Sequence, residues 1–509
     1  MKTSQKSVAL AVVSGLLLIL SFPKFGNGVV AWVSLIPLFF SLKDVAPARG
    51  FQLGFLSGIV AYLGILYWIS VVVVQYGYLP VYVGVLVLLL LASYLSLYTA
   101  IFSAGIVYLR RKGVRVCLSA PVIWTILEYI RSNLFTGFPW ENLGYSQYLH
   151  QNVIQIADLT GIYGISFLIV LANAVIFDLL EGGSSRRLFY TEFSALAIIL
   201  VVIFGYGHLR YKHIGYSLQM APEMRVSLIQ GNIDQNIKWD AQYQSQTLDI
   251  YRSLSLKAIP PKGGLIVWPE TAVPFYFQRL DLMHETVASV ARQSQSSLLL
   301  GSPSFTQEGG NTYYSNSAFL IGEDGEVKGQ YDKVHLVPYG EYVPLRKFFP
   351  FVGKLVAGVG DFRQGQGFYP LVLNNRRLGI LICYEGIFPE AARDYKLKRA
   401  NLLVNITNDA WFGETSAPYQ HLSMTVFRAI ENRLFLVRAA NTGISAIIDP
   451  RGDILLQSKL FERSALNGSI KIVDEKSFYA AYGDVFVFVC AAFLLAIFIL
   501  VLKRRTKTC

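Results

Sequence analysis

Apolar residues are distributed along this 509-residue chain in a way that leaves few folds open. Seven apolar stretches precede residue 210, at about 7–22, 25–42, 51–74, 79–109, 116–135, 156–180 and 189–207, and an eighth covers 483–502. Several reach the roughly 20 residues that span a bilayer as a helix, and the first two lie close enough to form a hairpin. Between the seventh and the eighth, polarity returns to that of an ordinary soluble domain. The expected division is a membrane bundle over 1–215, a soluble domain over 216–478, and a last membrane helix with a basic tail over 479–509. Only 15% of the residues are charged, against about a quarter in soluble domains.

The net charge of +12 could suggest a nucleic-acid partner. Its placement argues for a membrane instead. If the N-terminus is cytoplasmic, fourteen basic residues fall on the cytoplasmic side: Lys2, Lys6, Lys43, Arg49, Arg110, Arg111, Lys112, Arg115, Arg186, Arg187, Lys503, Arg504, Arg505 and Lys507. Lys24, Arg131, Arg210 and Lys212 fall opposite. Positive charge stays inside, so seven crossings put 216–478 outside the cytoplasm and the eighth returns the tail. No basic stripe is interleaved with aromatics, so no nucleic acid is expected. The first run, behind Lys2 and Lys6, also has the look of a signal peptide but lacks a small-x-small cleavage site.

Of the four cysteines, Cys117 and Cys490 lie in apolar segments and Cys509 is the last residue. Cys383 is then the one cysteine expected on the outer side. No cysteine or histidine spacing suggests zinc or a disulfide framework, so no metal or other cofactor is expected. Within the soluble domain, strands are expected at Arg225–Gln230, Gly264–Trp268, Ser297–Gly301, Ser315–Ile321, Leu378–Cys383, Leu402–Ile406, Phe435–Ala440 and Ile444–Ile448. Helices are expected at 240–257, 281–294, 389–397 and 418–433. Such alternation indicates a layered α/β domain.

Three segments at strand ends could carry chemistry. In Leu265-Ile-Val-Trp-Pro-Glu270-Thr271, proline ends the ladder and presents Glu270 at its tip, although a helix-capping or surface glutamate would look the same. In Tyr331-Asp-Lys333-Val-His-Leu-Val-Pro-Tyr-Gly-Glu341, Lys333 lies among aromatics beside a carboxylate, and His335 reads more readily as structural than as a base. In Leu378-Gly-Ile-Leu-Ile-Cys383-Tyr384-Glu385-Gly386, a fully apolar strand ends on a cysteine with a glycine that permits a tight turn. A buried packing cysteine remains the alternative there. A cysteine nucleophile needs a base and a cation or donors for the oxyanion; Glu270 and Lys333 supply both without histidine.

The order Glu270, Lys333, Cys383, each in its own local context, resembles the nitrilase superfamily. The segments Gln230-Gly-Asn232, Trp268-Pro-Glu270-Thr, Tyr331-Asp-Lys333 through Glu341, Cys383-Tyr-Glu385 and Asn405-Ile-Thr-Asn-Asp409-Ala-Trp-Phe-Gly413 narrow it. Together with the membrane frame, they resemble the apolipoprotein N-acyltransferases, the membrane branch of the carbon–nitrogen hydrolases, over essentially the whole chain. The resemblance implies about eight transmembrane helices carrying an αββα sandwich. It implies Glu270 as general base, Lys333 as oxyanion stabiliser and Cys383 as nucleophile, with Glu341, Glu385, Tyr384 and Trp239 around the substrates. It further implies a phospholipid acyl donor such as phosphatidylethanolamine, a diacylglyceryl lipoprotein acceptor, a thioester between them, and a multi-pass protein of the bacterial inner membrane. The expected state is a monomer. A membrane-anchored amidase using water as acceptor, and a binding or transport module without chemistry, remain as alternatives.

Elsewhere, Glu128 and Asp178 sit in or near apolar runs; intramembrane carboxylates can be functional, but these two are expected at interfaces, where they can snorkel. Phe138-Pro-Trp140-Glu-Asn142 is expected on the outer side. The glycine-punctuated apolar stretch from Phe348 to Gly360 suggests a lid, and Val273-Pro-Phe-Tyr-Phe277 is a second apolar stretch that could meet the bilayer, although these phenylalanines could instead pack in the domain core.

Overall fold

A computed structural model describes residues 2–181, 186–235, 237–258, 263–343 and 361–506. The expected lid at 348–360 falls outside these residues. The chain divides into two compact units: Met1–Ser70, Val81–Tyr211 and Tyr482–Cys509 in one, Val71–Pro80 and Lys212–Ala481 in the other.

The first unit is helical. Among the described residues, five helices are long and apolar enough to cross a bilayer: Pro47–Ile65, Val81–Arg110, Ile162–Glu181, Tyr190–Met220 and Val485–Lys503. Gln5–Ile19 and Gly28–Ser41 are apolar but shorter, as expected of a hairpin. The helix Val116–Asn133 carries Glu128, Arg131 and Pro121, which lower its hydropathy. Small residues let two helices approach closely. A Cβ on Gly54 would lie 2.3 Å from Ser103 Oγ and 2.5 Å from the Thr99 carbonyl, and one on Gly58 would lie 3.0 Å from Ser96. This is how helices associate where lipid offers no hydrophobic drive.

Glu128 and Asp178 do not snorkel. Both are buried, and each finds polar partners inside the bundle, because an unpaired carboxylate at membrane depth is expensive. Glu128 accepts from the Leu143 amide at 2.7 Å, next to Arg131, which donates to Tyr62 at 2.6 Å and to Asn142. Asp178 accepts from the Cys117 amide at 3.0 Å and pairs with Arg115 at 3.6 Å. Trp140 is buried against Trp68, ring centroids 4.7 Å apart.

The second unit contains two six-stranded sheets. In chain order the strands are β1 (Glu223–Gln230), β2 (Leu265–Val267), β3 (Ser297–Glu308), β4 (Asn311–Ile321), β5 (Val327–Asp332), β6 (Leu371–Leu373), β7 (Arg376–Ile382), β8 (Leu402–Thr407), β9 (Phe435–Ala440), β10 (Ala446–Ile448), β11 (Ile454–Gln457) and β12 (Ser464–Lys471). The orders are β12-β1-β2-β3-β4-β5 and β11-β10-β9-β8-β7-β6. In each sheet three strands, β1-β2-β3 or β7-β8-β9, run parallel, and the others are antiparallel. Parallel strands need crossovers, supplied by the helices Gln244–Lys257, Leu282–Ser294, Pro389–Leu397 and Ala417–Asn432. Strands buried on both faces read as largely apolar runs, which is why β2, β7, β8 and β9 are legible in the sequence. The four strands without a clear signal, β5, β6, β11 and β12, are short or polar and lie at or near sheet edges.

One core lies between the first sheet and its helices, built from Ile229, Tyr251, Ile266, Trp268, Phe277, Val290, Leu298 and Phe319 among others. Trp268 donates from Nε1 to Ser255 at 2.8 Å and stacks on Tyr251. This anchors the residue two before Glu270.

Candidate active site

The parallel strands of both sheets end towards the groups with chemical potential. Glu270 follows β2, Cys383 follows β7, and Asn408 and Asp409 follow β8, while Lys333 follows the antiparallel β5. Strand ends in α/β folds are where the ladder stops and side chains become available. Pro269 ends β2, and Thr271 turns with φ 47°, so Glu270 is directed inward. It is buried. Its Oε1 accepts from Asn316 Nδ2 at 2.8 Å and lies 3.6 Å from Lys333 Nζ, and its Oε2 accepts from the Asn408 amide at 2.9 Å.

Lys333 is almost wholly buried, its main chain held by the Asn316 carbonyl at 2.8 Å. Its ammonium donates to Glu341 at 3.0 Å. Asn316 Nδ2 also reaches Glu341 Oε1 at 2.8 Å, so the amide links the two carboxylates. Glu341 is fixed further by the Val337 amide at 2.8 Å. Burial opposes the charge on Lys333, yet Glu341, then Glu270 and the other acidic groups around it, raise its pKa well above the usual lysine value. It is a permanent cation.

Cys383 stands at the tip of β7 with φ 52°, a left-handed conformation costly for a residue with a Cβ. Such strain persists only where the surroundings impose it. Here Glu385 imposes it. Its carboxylate accepts from the Ile382 amide at 2.7 Å on one oxygen, and on the other from the Val334 and His335 amides at 2.7 and 3.0 Å and the Tyr331 hydroxyl at 2.8 Å. Glu385 therefore clamps the elbow of Cys383 to the segment of Lys333, a structural role that its two-residue spacing from the cysteine did not disclose. Burial raises the Glu385 pKa to about 7, against the pull of those amides. The Cys383 thiol is pushed far up by burial and by Glu270, and pulled back only partly by Lys333. It rests as a neutral thiol, and its thiolate forms only as its proton is taken.

Beneath the elbow lies a cluster not anticipated from the sequence. His421 Nε2 is 3.2 Å from the Cys383 carbonyl, which can only accept, so Nε2 carries the proton. Its Nδ1 lies 3.0 Å from Asp409 Oδ1 and 3.1 Å from Arg438; burial, and then Arg438, lower the His421 pKa, while Asp409 pulls it the other way. Arg438 also donates to Asp409 at 2.7 Å and to Asn405. Burial acts to raise the Asp409 pKa, but Arg438 and His421 overcome it and hold the carboxyl well below its usual range.

The remaining expected residues are placed as follows. Tyr384 is buried, its ring 5.0 Å from Phe388. Trp239 is half-buried in the turn after β1. His335 stacks on Phe388 at 3.7 Å, a packing role. Gln230 and Asn232 are structural, bonding Ser445, Ser458 and main-chain carbonyls of 459–462. Phe277 is core rather than an exposed loop aromatic. Among the described residues, three cysteines are present, none in a disulfide.

The family model described as "Apolipoprotein N-acyltransferase N-terminal domain" matches residues 14–175, and that described as "Carbon-nitrogen hydrolase" matches 225–477. An apolipoprotein N-acyltransferase of Geobacter metallireducens is 47% identical over 506 residues, covering 99% of this chain and 96% of the relative. The chain belongs to the apolipoprotein N-acyltransferases. Those of Pasteurella multocida and Haemophilus influenzae are each 32% identical, over 96% and 93% of this chain and 94% and 91% of theirs. An apolipoprotein N-acyltransferase is an acyl-transferring membrane enzyme with lipid and lipoprotein substrates, so the amidase and the non-catalytic alternatives fall away.

Proposed function

We propose that Cys383 takes an acyl chain from a glycerophospholipid, phosphatidylethanolamine by preference, and passes it to the α-amine of an S-diacylglyceryl cysteine at a lipoprotein N-terminus. Glu270 removes the thiol proton as sulfur attacks the ester carbonyl. The Lys333 ammonium stabilises the oxyanion. As the ester C–O bond breaks, Glu270 returns the proton to the lysophospholipid alkoxide, and a thioester remains. The amine then attacks the thioester carbonyl, its proton passes to Glu270, and the C–S bond breaks to restore the thiol. This is a ping-pong cycle.

The observation that carries the reading is the single buried network joining Glu270, Lys333, Glu341 and Asn316 beside the strained elbow of Cys383. Tyr384 and Trp239 are assigned to the walls of the substrate site. The same proposal places the domain of 216–478 on the periplasmic side, both termini in the cytoplasm, and the enzyme as a monomer. The distribution of basic residues supports that orientation.

The test is the intact mass of the full-length protein after incubation with phosphatidylethanolamine alone. An added acyl mass is expected, labile to neutral hydroxylamine and absent from Cys383→Ala. Free fatty acid released at turnover rates without an adduct would refute it.

A further inference from the structure

A second lysine belongs to this site, and the reaction as written makes no use of it. Lys238 lies in the turn after β1, and its side chain has no exposure. Its Nζ donates to the main-chain carbonyl of Glu270 at 3.2 Å. Its own amide is held by the Asp234 carbonyl at 3.1 Å. A buried ammonium is costly unless nearby charge compensates it. The titratable groups acting on Lys238 are Glu270, at the end of β2, and Cys383, at the end of β7. Lys333 and Glu341 lie across the Glu270 carboxylate.

Charge balance explains its presence. Glu270 and Glu341 bring two negative charges, and Lys333 supplies one positive charge. A second cation brings the cluster to neutrality. It also favours the thiolate, which needs positive potential when the proton leaves Cys383. We propose that Lys238 is the second cation of the acylation site, a positioning residue that fixes the Glu270 main chain and whose positive charge supports thiolate formation at Cys383.

Burial lowers the Lys238 pKa to about 8, against the opposing pull of Glu270 and Cys383. The two half-reactions therefore depend on pH in opposite directions. Thioester formation needs Lys238 charged and slows as pH rises through about 8. Transfer to the acceptor needs a neutral α-amine, whose usual pKa is about 7.7–8.0, and speeds up over the same interval.

The inference rests on Cys383 being the nucleophile. The test is thioester formation by rapid quench and intact mass, with full-length protein and phosphatidylethanolamine vesicles, from pH 6 to 9.5. The wild type is expected to show an alkaline limb near pH 8. Lys238→Met is expected to acylate on the order of tenfold more slowly at pH 7 and to lose that limb. Lys238→Arg, charged throughout, is expected to recover part of the rate and to move the limb up by at least about one unit. A Lys238→Met protein with the wild-type rate and limb would overturn the inference. Should Lys238→Met not fold, a limb that stays near pH 8 in Lys238→Arg overturns it equally. A wild type that forms no thioester would instead overturn the assignment of Cys383 and, with it, this inference.

Discussion

Gly301 shows how narrowly the proposed base, Glu270, is positioned. It lies in β3, directly behind the Pro269-Glu270-Thr271 turn, and exchanges main-chain bonds with Pro269 and Val273 at 3.2 and 3.1 Å. A Cβ there would stand 2.5 Å from the Thr271 nitrogen, 2.7 Å from Glu270 Cα and 2.7 Å from the Pro269 carbonyl oxygen. All three are main-chain atoms, so no side chain can swing away. Restoring an ordinary 3.4 Å contact requires the turn to retreat by about 0.9 Å. Overpacking of this kind costs about 1–3 kcal/mol of stability, which a domain of this size can survive. A catalytic group displaced by about 1 Å loses on the order of 10²-fold in rate, about 2.7 kcal/mol in the barrier. Gly301→Ala is therefore expected to fold, with a modestly lower Tm, and to form the thioester about a hundredfold more slowly. The assay is single-turnover acylation followed by intact mass, beside a thermal melt. A variant acylating within about twofold of the wild type would refute the assignment of Glu270 as a precisely held base.

Three further outcomes follow from the site. Lys333→Met leaves Glu341 without its ion-pair partner and Glu270 with one cation fewer, and removes the proposed oxyanion cation; a loss of about 3–5 kcal/mol in stability is expected, with acylation reduced at least about 10²-fold, read by denaturation and rapid quench. Asp409→Asn strands Arg438 beneath the elbow and should cost about 3–5 kcal/mol. Because the Asp409 pKa is depressed in the fold, its wild-type contribution is complete above about pH 4 and is lost as pH falls below that, so the two proteins' urea midpoints should converge in acid. Cys383, its thiol pKa pushed far up, should react with iodoacetamide at pH 8 more slowly than a free cysteine; faster labelling would contradict a neutral resting thiol.

Much of this was legible because its signals are local. An apolar run long enough to cross a bilayer, a doubly buried strand such as Leu402–Thr407, and a proline that ends β2 before Glu270 each declare themselves within a few residues. Glu270, Lys333 and Cys383 could be singled out as candidates because each sits in its own distinctive segment. The edge strand β12 could not be read: its residues alternate weakly, and its pairing with β1 joins segments more than two hundred residues apart. Glu128 and Asp178 were misjudged for a related reason. A carboxylate in an apolar run reads the same whether it reaches for water or for a partner such as Arg131 or Arg115 on another stretch of chain.

The sequence by itself determined the membrane frame and the layered α/β domain, and it singled out Glu270, Lys333 and Cys383 as candidates, because composition and local pattern suffice for each. Only the tertiary structure decided that Asn316 bridges two carboxylates, that Glu385 clamps the cysteine elbow, that His421 and Arg438 support it from below, and that Lys238 comes to Glu270. Those roles are defined by partners remote in the chain. A buried polar group takes its pKa and its function from what the fold places against it, and no local pattern encodes that.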